Sequence, residues 1–532
     1  MKLQETIAVC GVVCLAASMA VALPPKNQSS PHSSLSPGTM DYSKYVNANK
    51  LLGFVSNQGH LFYDGTQFFG RFDGLYFPYT SVDDIQSGVN DKTVVYSAGL
   101  WMGGCVGADT LVSVAEYSSE YVAGNMKGGT FDPLYMDAKY RVYKLYRDSM
   151  AANPNADYLQ WPVAQGAPVD GAGHPLLLGD QTAWCVFSDA KADEHTNNAG
   201  GTSPLGIEVR QTVWATDDAD HDNVIFLKYQ LFNRGTRQIT GFYISLWADP
   251  DLGGASDDLV GCDTLKNTFF AYNATNTDSR YGSIPPAWGG RLLCGPIVPR
   301  AGDSAISFGK IVHGYRNLGM TAFSKYINGT DPASHSHSYN YMRGLMRDGS
   351  TYMYMGNGLR YANSGNPVTQ QGDLDEDPAD RRLMATSGPI TFNPGDSQEV
   401  IYEFATTLAG DRLTSLSELL YRLSADTPTD VSSVASDILP EAFSLSQNYP
   451  NPFNAGTSLE FALSRPQSVR LDVYNMLGQR VTTLVDRFVS AGVHRVSWNG
   501  ESDNGLPAAS GVYEFRLNVA GANRVVRGVL LK

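Results

Sequence analysis

The sequence predicts an all-β protein, with a large antiparallel β-sandwich-type body followed by a small second sandwich at the C-terminal end. Three observations carry this. Along the clearest stretch, 205–248, side chains alternate at period two, the pattern of a strand with two distinct faces. From about Leu51 to Leu408, aromatic and β-branched runs are separated by Gly, Asp and Asn turns, and nothing long has helical periodicity. Only 17% of residues are charged while Gly, Tyr and Phe are plentiful, a balance that favours short strands over long charged helices.

Within 205–248, Ile207, Val209 and Val213 share one side of a strand, with Glu208, Arg210 and Thr212 on the other. Ile225, Leu227, Tyr229 and Leu231 then alternate with Phe226, Lys228, Gln230 and Phe232. After the turn Asn233–Thr236, Phe242, Ile244 and Leu246 alternate with Tyr243, Ser245 and Trp247. Three such segments in succession predict an antiparallel meander. One helix is predicted at 415–424, where Ser415 and Glu418 have capping-box spacing and Leu416, Leu419, Leu420 and Leu423 form an apolar stripe. A polar linker at 425–441 separates the body, 46–424, from a compact domain at 442–532.

At 532 residues the chain is long enough for several cores, and 42% apolar content excludes wholesale disorder. From Glu441 onward nine Lys/Arg face seven Asp/Glu, a surplus of two, so everything before carries −16 of the net −14. Such a body repels nucleic acid, and no basic patch with interleaved aromatics opposes that expectation. Residues 1–22 read as a signal peptide: Lys2 precedes the apolar run Ile7–Met19, and Ala20-Val21-Ala22 places small residues before the cut. No later run reaches the ~18 apolar residues of a transmembrane helix. Residues 23–45 are rich in Pro, Ser and Gly and read as a flexible leader. Cys105, Cys185, Cys262 and Cys294 remain after cleavage, either as two disulfides in one of three pairings or as buried thiols.

The terminal segment shows alternating strands throughout. Leu459, Phe461 and Leu463 flank Glu460; Val469, Leu471 and Val473 flank Arg470 and Asp472; Tyr513, Phe515, Leu517 and Val519 flank Glu514, Arg516 and Asn518. With turns at Asn475–Gly478, Asn499-Gly500 and Asn504-Gly505, about seven strands fit into about ninety residues, the size of an Ig-like sandwich. Its motifs NYPNPFN (448–454), VYNMLGQRV (473–481), SGVYEFRL (510–517) and terminal VLLK resemble the type A C-terminal sorting domain of type IX secretion cargo. The resemblance implies export through the type IX machinery of a Gram-negative bacterium of the Bacteroidetes or a related lineage. It also implies delivery to the medium or the outer-membrane surface, where such cargo can be attached to a surface polysaccharide. The matching positions are Pro450, Asn451, Pro452, Gly511, Tyr513 and Lys532. Read from the residues alone, the prolines start an edge strand and Gly511 turns the chain.

The body, through SAGLWMGG (97–104), GDQTAWCVFSDA (179–190), ADPDLGGASDDLVGCDT (248–264) and DRRLMATSGPITFNPGDSQEV (380–400), resembles a recurrent type of secreted protein that precedes such domains. That resemblance brings no activity with it.

Three acidic clusters stand out: Asp217, Asp218, Asp220 and Asp222; Asp249, Asp251, Asp257, Asp258 and Asp263; and Asp373, Asp375, Glu376, Asp377 and Asp380. The meander places the first two at one end of a sheet. Hard oxygens on loops, with Gly253, Gly254 and Gly261 allowing tight turns, suit Ca²⁺. The candidate ligands are Asp217, Asp220, Asp222, Asp249, Asp251, Asp257, Asp258 and Asp263. An EF-hand is excluded, since the twelfth position from Asp249 is Val260. The bland alternative is aspartates making Asx-turns. The same residues can also supply the carboxylate pair of a glycoside hydrolase.

His335 and His337 alternate in what reads as a loop, and His195 lacks a metal motif. No HExxH, GxSxG or P-loop occurs. Aromatics in GLYFPY (74–79), in YMYMGNGLRY (352–361) and at Trp288 either stack on sugars or fill a core. No catalytic residue is assigned. The expected function is an exported protein with a non-enzymatic binding, adhesion or structural body, the alternative being a secreted polysaccharide-active hydrolase.

Overall fold

The structure, a computed structural model, describes residues 42–63, 74–150, 152–424 and most of 443–531. The expected signal peptide, most of the leader, the linker and Lys532 lie outside the described residues. About 49% of the chain is strand and 9% helix, so the fold is all-β.

Two large sheets, with four two-stranded ones around them among the described residues, form the body. The first runs in the order Ser43–Val46, Gly53–Ser56, His60–Leu61, Ser97–Val106, Ile239–Asp249, Arg381–Phe392, Ala322–Ile327, with Asp109–Val114 added beside Ser97–Val106. Its opening strand starts at Ser43, inside the segment expected as leader. The second runs Tyr143–Tyr146, Gln181–Ser188, Ile207–Ala215, Val224–Asn233, Ser397–Thr407, Ala287–Cys294, Thr268–Asn273, Asp258–Asp263, with Val122–Ala123 added beside Gln181–Ser188. Every pairing is antiparallel. A single large apolar cluster, including Leu100, Phe187, Val209, Leu227, Leu246 and Phe404, contains core residues of both sheets, and its burial is the main stabilising contribution.

The expected meander holds for two strands only. Ile207–Ala215 pairs with Val224–Asn233, Val209 opposite Leu231. Ile239–Asp249 then crosses to the other sheet, between Ser97–Val106 and Arg381–Phe392, and Ser397–Thr407 takes the place beside Val224–Asn233. The physical reason is visible in the crossing strand. Phe242, Ile244 and Leu246 face the shared core, while Tyr243 and Trp247 are buried under an outer layer with Trp101, Tyr326 and Tyr341. A strand apolar on both faces has a period but no polar face to say which sheet it joins. Asn233 holds the crossing by donating from Nδ2 to the carbonyls of Arg237 and Phe392.

The last body helix is Arg412–Ser424, three residues longer at its start than expected. Leu416, Leu419 and Leu423 bury against the outer face of the second sheet, beside Phe226, Tyr272 and Ile401. Its N-terminal cap comes from Asp411, whose carboxylate accepts from Thr414 N at 2.8 Å. Ser415 is no cap: its hydroxyl donates to Pro285 O and accepts from Ala409 N. The SHSHS segment is likewise a helix, His335–Met342, rather than a loop; His337 Nδ1 accepts from Ala333 N and Arg347 Nε. Cys105, Cys185, Cys262 and Cys294, the four cysteines among the described residues, are free thiols. Burial pushes that of Cys294 up to about 12 and those of Cys185 and Cys262 higher still, as for structural rather than reactive cysteines.

The terminal domain has the seven strands expected. Phe443–Leu445, Thr457–Leu463 and Gly492–Trp498 make one sheet; Arg480–Val489, Gln467–Asn475, Gly511–Val519 and Ala522–Leu530 make the other. Trp498 packs edge-on against Phe453, Tyr513 and Phe515 in the core.

Candidate functional site

The crossing strand decides which acidic residues meet. Its end, Asp249, lies in the first sheet, next to the start of Arg381–Phe392. The Asp249 carboxylate is fully buried. One oxygen accepts from Tyr117 OH at 2.7 Å, and the other lies 3.5 Å from Arg382 Nε. Arg382 also reaches Asp380 at 3.3 Å and donates to Asn328 Oδ1 at 2.7 Å. Oxygens of Asp249, Asp251 and Asp380 lie within 4.8 Å of one another. The structure therefore joins the second acidic cluster to the third.

The first cluster stays apart from that group. Asp217 and Asp220 are exposed. The Asp218 carboxylate accepts from Asp220 N and His221 N, an Asx-turn. Asp222 pairs with Lys50 and, at 3.9 Å, with Arg422. Asp263 caps its own turn through Leu265 N and Lys266 N, and Asp257 accepts from Asn273 Nδ2. Asp258 is fully buried and accepts from Leu252 N; burial, then the charge of Asp251, pushes its carboxyl far above the usual carboxylate range. Of the third cluster, Asp375 accepts from Lys325, Arg381 and Val260 N, and Asp373 from Tyr352 OH and Asn363 N.

A further buried carboxylate group escaped sequence reading. Asp189 accepts from Leu205 N, Gly206 N, Ile207 N and Ser113 Oγ. Beside it Glu120 accepts from Gly201 N and Val114 N, and burial pushes its carboxyl up to about 8. His195 Nε2 lies 2.6 Å from Asp189 O, with Nδ1 3.7 Å from Glu120. These groups satisfy the backbone of the 196–207 segment, and nothing in their spacing along the chain marks them.

The aromatic candidates divide. Trp288, Tyr76 and Phe77 are core. Tyr361 instead lines an open groove of about 760 Å³, with Arg316, Leu318, Arg360, Gly388 and Pro389. Sequence reading missed this groove; the signal that could have found it is the excess of basic residues in 297–317 and 343–361 of an otherwise acidic chain.

In the terminal domain Asn451 pins the NYPNPFN segment to the last strand. Its Nδ2 donates to Arg527 O and its Oδ1 accepts from Val529 N. Asn448, buried, donates to Pro450 O and Thr457 Oγ1. Pro450 and Pro452 thus belong to a docked loop rather than an edge strand, and Pro450 borders a second groove of about 780 Å³ with Thr457, Trp498 and Asp503. Gly511 is no turn: it opens a strand opposite Leu530, with open space where a Cβ would stand. Tyr513 is buried and donates its hydroxyl to Ala509 O at 2.7 Å.

Fold and sites together define an all-β protein with a large two-sheet body and an Ig-like C-terminal domain. Residues 448–523 match the family model of the FlgD Ig-like domain. No curated protein matches the chain. Among solved structures the chain is similar to a polysaccharide lyase, at 8% identity and TM-score 0.23, covering 94% of this chain and 47% of that one. It is also similar to dimeric latent PorU from Porphyromonas gingivalis, at 12% identity and TM-score 0.15, covering 66% and 31%. An inverting mannosidase from Bacteroides thetaiotaomicron follows at 7% identity and TM-score 0.25, covering 86% and 41%. The chain spans less than half the length of these three, and none of these TM-scores defines a shared fold.

Proposed function

We propose that the chain is type IX secretion cargo, exported to the medium or the outer-membrane surface, with the Ig-like domain as its sorting signal and the body as a non-enzymatic binding or structural module. The observation that carries the export reading is the behaviour of the motif positions. Gly511 is not required for packing or for backbone conformation, and Pro450 sits at the rim of a groove. A glycine that the domain itself does not need is one that a partner surface can require. The reading of residues 1–22 as a signal peptide supports the same route.

For the body, the reading rests on how its acidic residues are used. Asp249, Asp375 and Asp380 each face a buried arginine, and buried charges of that kind serve the fold. Calcium drops out of this reading, because Arg382 already provides the cation between Asp249 and Asp380. A hydrolase would need two carboxylates facing across a sugar-sized gap; no carboxylate lines the body groove around Tyr361, and the groove that Glu501 and Asp503 line belongs to the terminal domain.

Removing residues 443–532 in a host with a type IX machinery tests the export reading. Cell fractionation should find the shortened chain retained inside the envelope and the full chain outside it. A shortened chain that still reaches the surface or medium would refute the assignment.

A further inference from the structure

The groove around Tyr361 runs against the charge of the molecule that contains it. Residues before Glu441 carry −16 in net charge. Yet 297–317 holds Arg300, Lys310 and Arg316 against Asp303 alone, and 343–361 holds Arg343, Arg347 and Arg360 against Asp348 alone. The first of these segments is the hairpin Ile297–Ser307 with Lys310–Asn317, and the second contains the hairpin Tyr352–Tyr354 with Asn357–Leu359. Both contribute residues to the groove.

Nine of the fourteen other arginines among the described body residues meet a carboxylate, for example Arg141 with Asp157, Arg147 with Asp180, Arg291 with Glu403 and Arg381 with Asp375. Arg316 and Arg360 do not; among the described residues neither has an acidic group within 4.0 Å. Both are exposed at the groove. Two guanidinium groups kept clear of acids in an acid-rich protein form a receptor for anions, since guanidinium binds carboxylate or sulfate through paired N–H groups.

The rest of the groove suits a sugar. Leu318, Tyr361 and Pro389 give apolar wall. The Tyr361 hydroxyl donates to Met320 O at 3.0 Å, which fixes the ring. Gly388, at φ +140°, brings bare backbone to the groove, and a Cβ there would stand 2.7 Å from Phe242 O. A dense polyanion such as nucleic acid, with a charge every ~1.7 Å, would meet the acidic remainder of the body. A polysaccharide with one anionic group per sugar or fewer need bring only a few charges to the arginines.

We propose that this groove binds an anionic polysaccharide through its carboxylate or sulfate groups. The proposal rests on the reading of the body as a binding module, and names its ligand class. The test uses the full chain, with affinity measured by calorimetry against polygalacturonate, κ-carrageenan (one sulfate per two sugars) and neutral dextran. At least one of the two anionic polymers should bind, which of them does so separates carboxylate from sulfate recognition, and neutral dextran should not bind. Arg316→Ala combined with Arg360→Ala should weaken binding by roughly tenfold or more with the melting temperature unchanged, whereas Arg147→Ala should leave it intact. Binding should also fall with added salt. Absence of binding to both anionic polymers, equal binding of neutral dextran, or an unaffected double variant would overturn the proposal. Tighter arginine-dependent binding to phosphatidylglycerol vesicles than to either polymer would overturn it too. Export, read by fractionation, is untouched by any of these outcomes, so the two readings fail separately.

Discussion

The acidic end of the body and its basic groove use the same chemistry for opposite ends. At the acidic end, Arg382 is buried among Asp249, Asp380, Tyr117 and Asn328. At the groove, Arg316 and Arg360 are exposed and meet no acid among the described residues. A buried charge must be paired, or its desolvation destabilises the fold by several kcal/mol. An exposed one contributes little to stability, and is available to a ligand. Burial with partners, rather than residue type, separates a charge that holds the fold from one that can recognise something.

That contrast can be broken most strongly at Asp375. Its carboxylate sits between Lys325 and Arg381 and is almost wholly buried. Asp375→Ala leaves two cations facing each other and should cost about 3–5 kcal/mol, measured by denaturant unfolding. A loss within about 0.5 kcal/mol would place this network among ordinary surface pairs.

A smaller effect sharpens the same point through pH. Glu403 is 6% exposed, with Arg291 3.8 Å away, and burial pushes its carboxyl up to about 7. An acid whose folded value is raised favours the folded state while neutral. Its contribution is fully present below the unfolded value, near 4.5, and is lost as pH rises through about 7. Glu403→Gln keeps the shape without the charge. Relative to wild type it should therefore gain stability as pH rises from about 4.5 to about 7, by up to about 1.4 kcal/mol per pH unit, and show no further relative gain above that. Parallel curves of melting temperature against pH for the two proteins would show that Glu403 does not titrate in this window.

Much of the fold was legible because strands announce themselves at period two. Gln467–Asn475 and Gly511–Val519 alternate cleanly, since one face is core and the other wet. The partner of Ile239–Asp249 was not legible, because both of its faces are buried and either sheet would accept it. Ser415 misled for a local reason: a serine three residues before a glutamate fits a cap, but Asp411 lies nearer the true start. The acidic group was half legible. Asp249 and Asp251 were singled out as ligands, but their joining to Asp380 depends on the crossing strand, and no spacing along the chain reveals that. The groove went unread, because a local charge count over 297–317 and 343–361 gains meaning only once two hairpins are seen to share a wall.

Thermal melting of Arg382→Ala beside Arg360→Ala tests the central contrast most directly. The account predicts that losing Arg382 costs about 3–5 kcal/mol, while losing Arg360 changes stability by no more than about 0.5 kcal/mol. Equal shifts for the two would contradict it, showing that the groove arginine is as much a part of the fold as the buried one.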